Sequence, residues 1–127
     1  MRRVVVTGLG IVSSIGNDAS EVTESLRQAK SGISFAPDFA EHGFRCQVWG
    51  KPDLDPTDLV DRRAMRFLSQ GGAWNHVAMK QALADSGLEE KDYSENERTG
   101  IIMGSGGPST RTLIEAADIT IKNGSPK

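Results

Sequence analysis

The sequence predicts an α/β fold with an unfinished sheet, and three observations lead there. A β-branched run, Val4-Val5-Val6, ends at Thr7-Gly8-Leu9-Gly10 and is followed by a helical pattern. A second apolar run, Gly100-Ile101-Ile102-Met103, also passes through a glycine-rich turn into a helical pattern. Strand, loop and helix in that order make an α/β layout. The third observation is the count: two such strands and one weaker candidate are too few for a complete doubly wound sheet.

Each element has its own local signals. From about Ser20 to Ala29, Val22, Leu26 and Ala29 fall at i, i+4 and i+7, with Asn17 or Asp18 as the cap and Gly32 just past the end. Phe44, Cys46 and Val48 alternate with Arg45 and Gln47, which predicts a strand with one buried face. Asp55-Pro56-Thr57-Asp58 supplies a cap, a first-turn proline and an acidic first turn. The apolar stripe Val60, Ala64, Phe67, Trp74, Ala78 and Ala82, broken at Gly71-Gly72, predicts one short helix and then a long one ending near Gly87. Ser94 to Arg98 reads as a polar loop. Ser109 caps a last helix with apolar positions Ile114, Ala117 and Ile121, ended by Asn123-Gly124. No internal repeat, low-complexity tract or interdomain linker divides the chain.

Composition narrows the function classes. The 127 residues suit one domain, and 14 glycines against a 37% hydrophobic fraction suggest tight turns or close backbone approaches. Lys+Arg 15 against Asp+Glu 17 gives a formal charge of −2, so there is no bulk electrostatic case for nucleic acid or an anionic membrane. One cysteine forms no internal disulfide and favours a reducing compartment. The opening Met-Arg-Arg and apolar run are broken by Thr7, Gly8, Gly10, Ser13 and Ser14, and no stretch approaches the roughly 20 apolar residues of a membrane span. A cytoplasmic protein is expected.

Three motifs invite chemistry. Thr7 to Ser13 resembles a dinucleotide fingerprint, but Ser13 stands where the third glycine belongs, and neither acid nor convincing strand occurs around Ala29 to Phe35. A glycine turn leaving a strand is the simpler reading. Gly104 to Pro108 sits where open α/β sheets bind ligands, yet it lacks the Gly-Lys-Ser/Thr of a P-loop; a plain turn and a close approach by a ligand both remain open. Arg62, Arg63 and Arg66 gather three cations. Asp58 and Asp61 are placed to neutralise them, and the residues alone favour that over docking of an acidic partner. Cys46 lies in an alternating segment with no helix N-terminus to lower its pKa, and His42 and His76 form no base or metal set with it, so it reads as structural. No metal site is expected.

In order and spacing, these segments resemble the β-ketoacyl-acyl carrier protein synthases. The resemblance is carried by Arg3 to Gly16, Ser31-Gly32-Ile33, Val48-Trp49-Gly50, Asp61-Arg62-Arg63 with Arg66-Phe67, and Gly104-Ser105-Gly106-Gly107. Trp49-Gly50 and Gly106-Gly107-Pro108 look more like the type I synthase than type II. The resemblance implies a thiolase-like fold, with α/β/α/β/α layers in the full protein, of which residues 1–127 are an incomplete amino-terminal part. It further implies a homodimer elongating fatty acyl chains by decarboxylating Claisen condensation, with acyl carrier protein bearing acyl and malonyl thioesters as partner and no cofactor. The family's catalytic cysteine and two histidines come later than these segments, so no catalytic residue is assigned here. By the same resemblance, Gly107 and Pro108 belong to the acyl-substrate loop, and Arg62, Arg63 and Arg66, extended by Lys122 and Lys127, form a carrier-protein surface. That overturns the neutralisation reading of the arginines. Two alternatives stand beside it: a non-catalytic chain-length-type partner of a condensing enzyme, and a dinucleotide-binding oxidoreductase domain.

Overall fold

The computed structural model describes residues 2–125. Its elements, in order, are α1 (Ala19–Arg27), β1 (Ser34–Phe35), α2 (Pro37–Glu41), β2 (Val48–Trp49), a 3₁₀ turn (Pro56–Asp58), α3 (Arg62–Met65), α4 (Gln70–Ser86), α5 (Glu90–Tyr93) and α6 (Thr110–Asn123). Local chemistry sets the helix starts, although the short helix expected from Asp55 divides into the 3₁₀ turn and α3. Asp18 accepts from the Glu21 N–H, Asp55 from the Thr57 N–H, Ser69 from the Gly72 N–H, and Ser109 from the Thr112 N–H. Each satisfies one of the donors that the first turn of a helix leaves without a partner. Gly87 and Gly124, both at φ +70°, close α4 and α6 in the left-handed conformation that costs glycine least.

Long α4 organises the chain. Ala73 and Val77 on its inner face, with Val60 ahead of α3, make the centre of the core, and Val12, Leu54, Ala64, Met65 and Leu68 pack around them. Trp74 donates its indole N–H to the Leu54 carbonyl at 3.0 Å, tying α4 to the loop before the 3₁₀ turn. Segment 8–17 lies along another stretch of α4. A side-chain carbon at Gly8 or Gly10 would overlap the carbonyl oxygens of Ala82 and Ala78, so only glycine permits this approach. Gln81 and Asp85 then satisfy the segment's backbone. Asp85 accepts from the Leu9 N–H at 2.8 Å, and Gln81 accepts from the Ile11 N–H at 3.0 Å while donating to the Asn17 carbonyl at 2.7 Å.

The strands depart most from expectation. Among the described residues the sheet is one antiparallel pair, Ser34 opposite Trp49 and Phe35 opposite Val48. Residues 4–6 and 101–103, expected as strands, have no ladder partner and no regular structure. Val4 (92% exposed) and Ile102 (100% exposed) show why: a strand needs neighbouring backbone to bond, and its apolar side chains need a covering layer. The expected strand over Phe44, Cys46 and Val48 shrinks to its last part, because Pro37 starts α2 and the chain turns through residues 42–47 before β2. There the aromatic rings cluster instead of alternating. Phe39 lies 5.2 Å from Phe44 and 5.7 Å edge-on from Trp49.

Two helices bury different faces from those expected. In α1, Leu26 is exposed, and Ser25 is buried beside Val22 because its hydroxyl donates to the Ile15 carbonyl at 2.6 Å. The left-handed residue after α1 is Ala29, at φ +52°, not Gly32. Phe67 leaves the predicted stripe. Arg66 ends α3, so helical periodicity no longer governs the next residue, and Phe67 is 88% exposed. Short α5, just before the polar loop, had no periodic signal to announce it.

Candidate functional site

The loop 104–109 runs into α6 by way of Ser109, whose hydroxyl accepts from the Thr112 N–H at 3.4 Å. Ser105 donates to the Gly107 carbonyl at 2.7 Å, which shapes the loop from within. No backbone strain calls for glycine at 104, 106 or 107, since none of them has positive φ. Packing does not call for it either: a side-chain carbon at any of the three would meet nothing within 4 Å. The space beside these glycines is therefore free for something outside the described residues.

Beside them opens a cleft of about 550 Å³ between the loop and the start of α4. Gly107 and Pro108 form one wall, Ser69 and Gly71 another, and Met65 and Leu68 give the floor an apolar character. Most polar groups at its rim are committed. The Asp55 carboxylate accepts from the Thr57 N–H at 2.9 Å and from its hydroxyl at 2.7 Å, and these bonds hold the carboxyl below its ordinary value. Arg111 donates to Glu115 at 2.8 Å, a pairing that raises the guanidinium's proton affinity further. A cleft so arranged can accept an apolar or flexible chain. It offers no nucleophile paired with a base.

Next to this cleft lies a groove of about 480 Å³ lined by Arg66, Phe67, Pro108, Thr112 and Leu113. Pro108 and Ser109 border both spaces, so the groove and the cleft are continuous along the loop. The structure thus brings Arg66 to Pro108, although 42 positions separate them. Arg62 and Arg63 sit on α3, exposed. Among the described residues no ion pair reaches Arg62, Arg63 or Arg66. Asp61 instead caps α3, accepting from the Arg63 N–H at 2.8 Å and the Ala64 N–H at 3.4 Å. Asp58 belongs to the 3₁₀ turn before α3, so it shares no helix face with Arg62. Local neutralisation, which the residues alone favoured, is not what the carboxylates do.

The remaining candidates are dispersed. Lys122 lies in the last turn of α6, seven positions beyond Glu115 on the groove wall and so about 10 Å along the helix from the groove. Lys127 lies outside the described residues. Cys46 is exposed, with its sulfur 3.8 Å from the Val48 carbonyl, and His42 is engaged with the Asp38 carbonyl at 2.7 Å. Among the described residues no three His, Cys, Asp or Glu side chains are grouped to hold a metal. The Thr7–Ser13 glycines face the backbone of α4 and not a helix N-terminus, which removes the geometry a dinucleotide pyrophosphate requires. Phe67 was not foreseen as a site residue because it read as part of a buried stripe, and Leu113 was not because it fell outside the Ile114, Ala117 and Ile121 stripe. The Gly71-Gly72 break in the long stripe was the available signal that a cleft begins at the start of α4.

Known proteins match this chain over nearly its whole length. Residues 1–126 match the family model described as the N-terminal domain of beta-ketoacyl synthase. 3-Oxoacyl-[acyl-carrier-protein] synthase 1 of Escherichia coli (strain K12) is 48% identical over 118 residues, covering 93% of this chain and 29% of that protein. Its counterpart in Haemophilus influenzae is 42% identical over 118 residues, with the same coverage. Among solved structures, the ishigamide ketosynthase/chain length factor superposes with a TM-score of 0.76 at 27% identity, over 96% of this chain and 30% of that one. The chain thus spans about three tenths of the length of the relatives it matches.

Proposed function

The chain belongs to the β-ketoacyl synthase family and carries part of its thiolase-like α/β fold, and from that premise we propose that residues 1–127 form the amino-terminal part of a 3-oxoacyl-acyl carrier protein synthase, type I-like. The whole protein transfers an acyl group from carrier protein to a cysteine thiol, releasing the carrier's thiol. A malonyl thioester then loses carbon dioxide, and the resulting carbanion attacks the acyl thioester carbonyl. A carbon–carbon bond forms, the cysteine thiolate leaves, and the product is a carrier-bound 3-oxoacyl chain two carbons longer. Thiolate, carbanion and oxyanion all need groups aimed at negative charge. We assign none of those groups to this chain.

Its share is reception. Gly107 and Pro108 leave room for the acyl chain, while Arg62, Arg63 and Arg66 face the acidic carrier, with Lys122 and Lys127 extending that surface. The observation that carries this reading is the continuity of the Arg66 groove with the Gly107 cleft along one loop. We extend it to a cytoplasmic homodimer using no cofactor; among the described residues no helix is long and apolar enough to cross a membrane. A second reading, a non-catalytic chain-length partner, is favoured by the ketosynthase/chain length factor match. Incubating the full-length protein with acyl-carrier and malonyl-carrier substrates separates the two, since only the enzyme yields 3-oxoacyl product.

The arginine face has its own test in that assay. Changing Arg62 and Arg66 to Glu should raise KM for carrier-bound substrate at least tenfold, and the effect should shrink as salt shortens the Debye length below ~8 Å. Turnover of a short carrier-free thioester reports on the reacting centre separately. Parallel losses on both substrates would make the arginines structural and end the docking assignment.

A further inference from the structure

The last turn of α6 holds the one asparagine of the chain that precedes a glycine, Asn123-Gly124. The three other asparagines are restrained. Asn17 donates its side-chain amide to the Asp53 carbonyl at 3.1 Å, and Asn96 donates to the Asp92 carbonyl and accepts from the Arg98 N–H, each at 3.0 Å. Asn75 lies in the middle of α4, followed by His76. Asn123 is instead the final residue of its helix, and it is exposed. Gly124 follows at φ +70°, and a side-chain carbon there would meet nothing within 4 Å. Glycine lets the chain turn left-handed and end the helix. The same missing side chain leaves its backbone nitrogen open to the neighbouring side-chain amide. One bond restrains the pair: the Gly124 N–H donates to the Thr120 carbonyl at 2.9 Å. Helix ends fray, and each opening frees that nitrogen.

We propose that Asn123 is a site of spontaneous deamidation, gated by the last turn of α6. When the turn opens, hydroxide removes the Gly124 amide proton and the nitrogen attacks Cγ of Asn123. An N–Cγ bond forms, the bond from Cγ to the side-chain nitrogen breaks, and ammonia leaves with a proton from water, which regenerates hydroxide. The resulting succinimide ring takes up one water and opens at either carbonyl. One route gives aspartate, and the other gives isoaspartate, in which the main chain runs through the side-chain carbon. Both products oppose reclosure. The new carboxylate stands at the negative end of the α6 dipole, where Lys122 is the favourable charge. Isoaspartate also lengthens the backbone by a carbon, which carries the Gly124 N–H out of register with Thr120. The modified helix therefore loses its last turn. The reaction needs neither the carrier nor the condensation, so it stands apart from the function proposed above.

The test is ageing of the full-length protein at neutral and mildly alkaline pH, followed by peptide mass spectrometry and by labelling with an isoaspartyl-specific methyltransferase. The peptide containing Asn123 should gain the mass of amide-to-acid exchange, faster at the higher pH, while those containing Asn17, Asn75 and Asn96 should not. In urea, with the turn gone, conversion should run on the order of tenfold faster. Asn123→Gln should show neither the mass gain nor the methyl label at this position. In Asn123→Asp, the Gly124 amide should exchange its hydrogen about two- to fivefold faster than in the unmodified protein, after correction for intrinsic rates. The proposal is overturned if Asn123 stays intact over a period in which the urea-unfolded protein converts fully, because the rest of the protein then seals the turn. It is equally overturned if aspartate forms without isoaspartate, which would mean direct hydrolysis and no ring. Equal rates with and without urea would remove the gate. Unchanged Gly124 exchange in Asn123→Asp would overturn the opening of the helix end by the modification.

Discussion

Carboxylates in this chain bind backbone more than they bind cations. Asp61 sits beside three arginines yet gives its oxygen to the N–H groups of Arg63 and Ala64, which leaves the arginines exposed and unpaired among the described residues. Asp55 behaves alike. The Thr57 N–H, and after it the Thr57 hydroxyl, stabilise its charged form and hold its pKa below 3.8. Since the folded value lies below the unfolded one, the contribution of this cap is complete above about pH 4 and is lost as pH falls through the lowered folded value. Following the Asp55 side-chain carbonyl shift against pH should give a midpoint below 3.8. Asp55→Asn should remove the pH dependence of the 3₁₀ turn, and a midpoint at or above 3.8 would contradict this account.

Helix α4 acts as the scaffold element, and Gln81 shows how. One amide accepts from Ile11 and donates to Asn17, so a single side chain closes both ends of a seven-residue stretch onto the helix. Gln81→Ala leaves a part-buried N–H and C=O without partners, which should cost about 1–3 kcal/mol locally. Hydrogen exchange in the full-length protein should show the Ile11 amide opening at least fivefold faster. Gln81→Glu keeps an acceptor for Ile11 and loses the donor to Asn17, so it should fall between. Unchanged exchange in Gln81→Ala would show that glycine packing at Gly8 and Gly10 holds the segment without it. The main elements were legible because their signals are local: caps at Asp18, Asp55 and Ser109, and terminal glycines at 87 and 124. The β1–α2–β2 unit was not legible as such, because an aromatic cluster of Phe39, Phe44 and Trp49 decides it through space.

For the whole molecule, the core is small for the length. Among the described residues the buried hydrophobic side chains are Val22, Ala36, Val60, Ala73 and Val77, while Val4, Val5, Val6, Ile101, Ile102 and Ile121 face outward. Apolar surface of this extent drives association. The isolated 127-residue chain should therefore self-associate or unfold without a sharp cooperative transition, through residues 4–6, the 101–104 segment and α6. Sedimentation velocity with a thermal melt decides this, and a monodisperse monomer melting sharply would refute it.

By itself the sequence determined what depends on near neighbours and on fixed spacing: the starts of α1 and α6, the ends of α4 and α6, the long helix through residue 86, and the family. Only the tertiary structure decided which faces are buried, where Phe67 points, that Asp61 caps a helix instead of pairing with arginine, and that the Arg66 groove meets the Gly107 cleft. Capping and turn chemistry act over three or four residues and leave a readable pattern. Burial and strand pairing need partners distant in the chain, so residues 4–6 and 101–103 have strand-like composition without a strand's bonds.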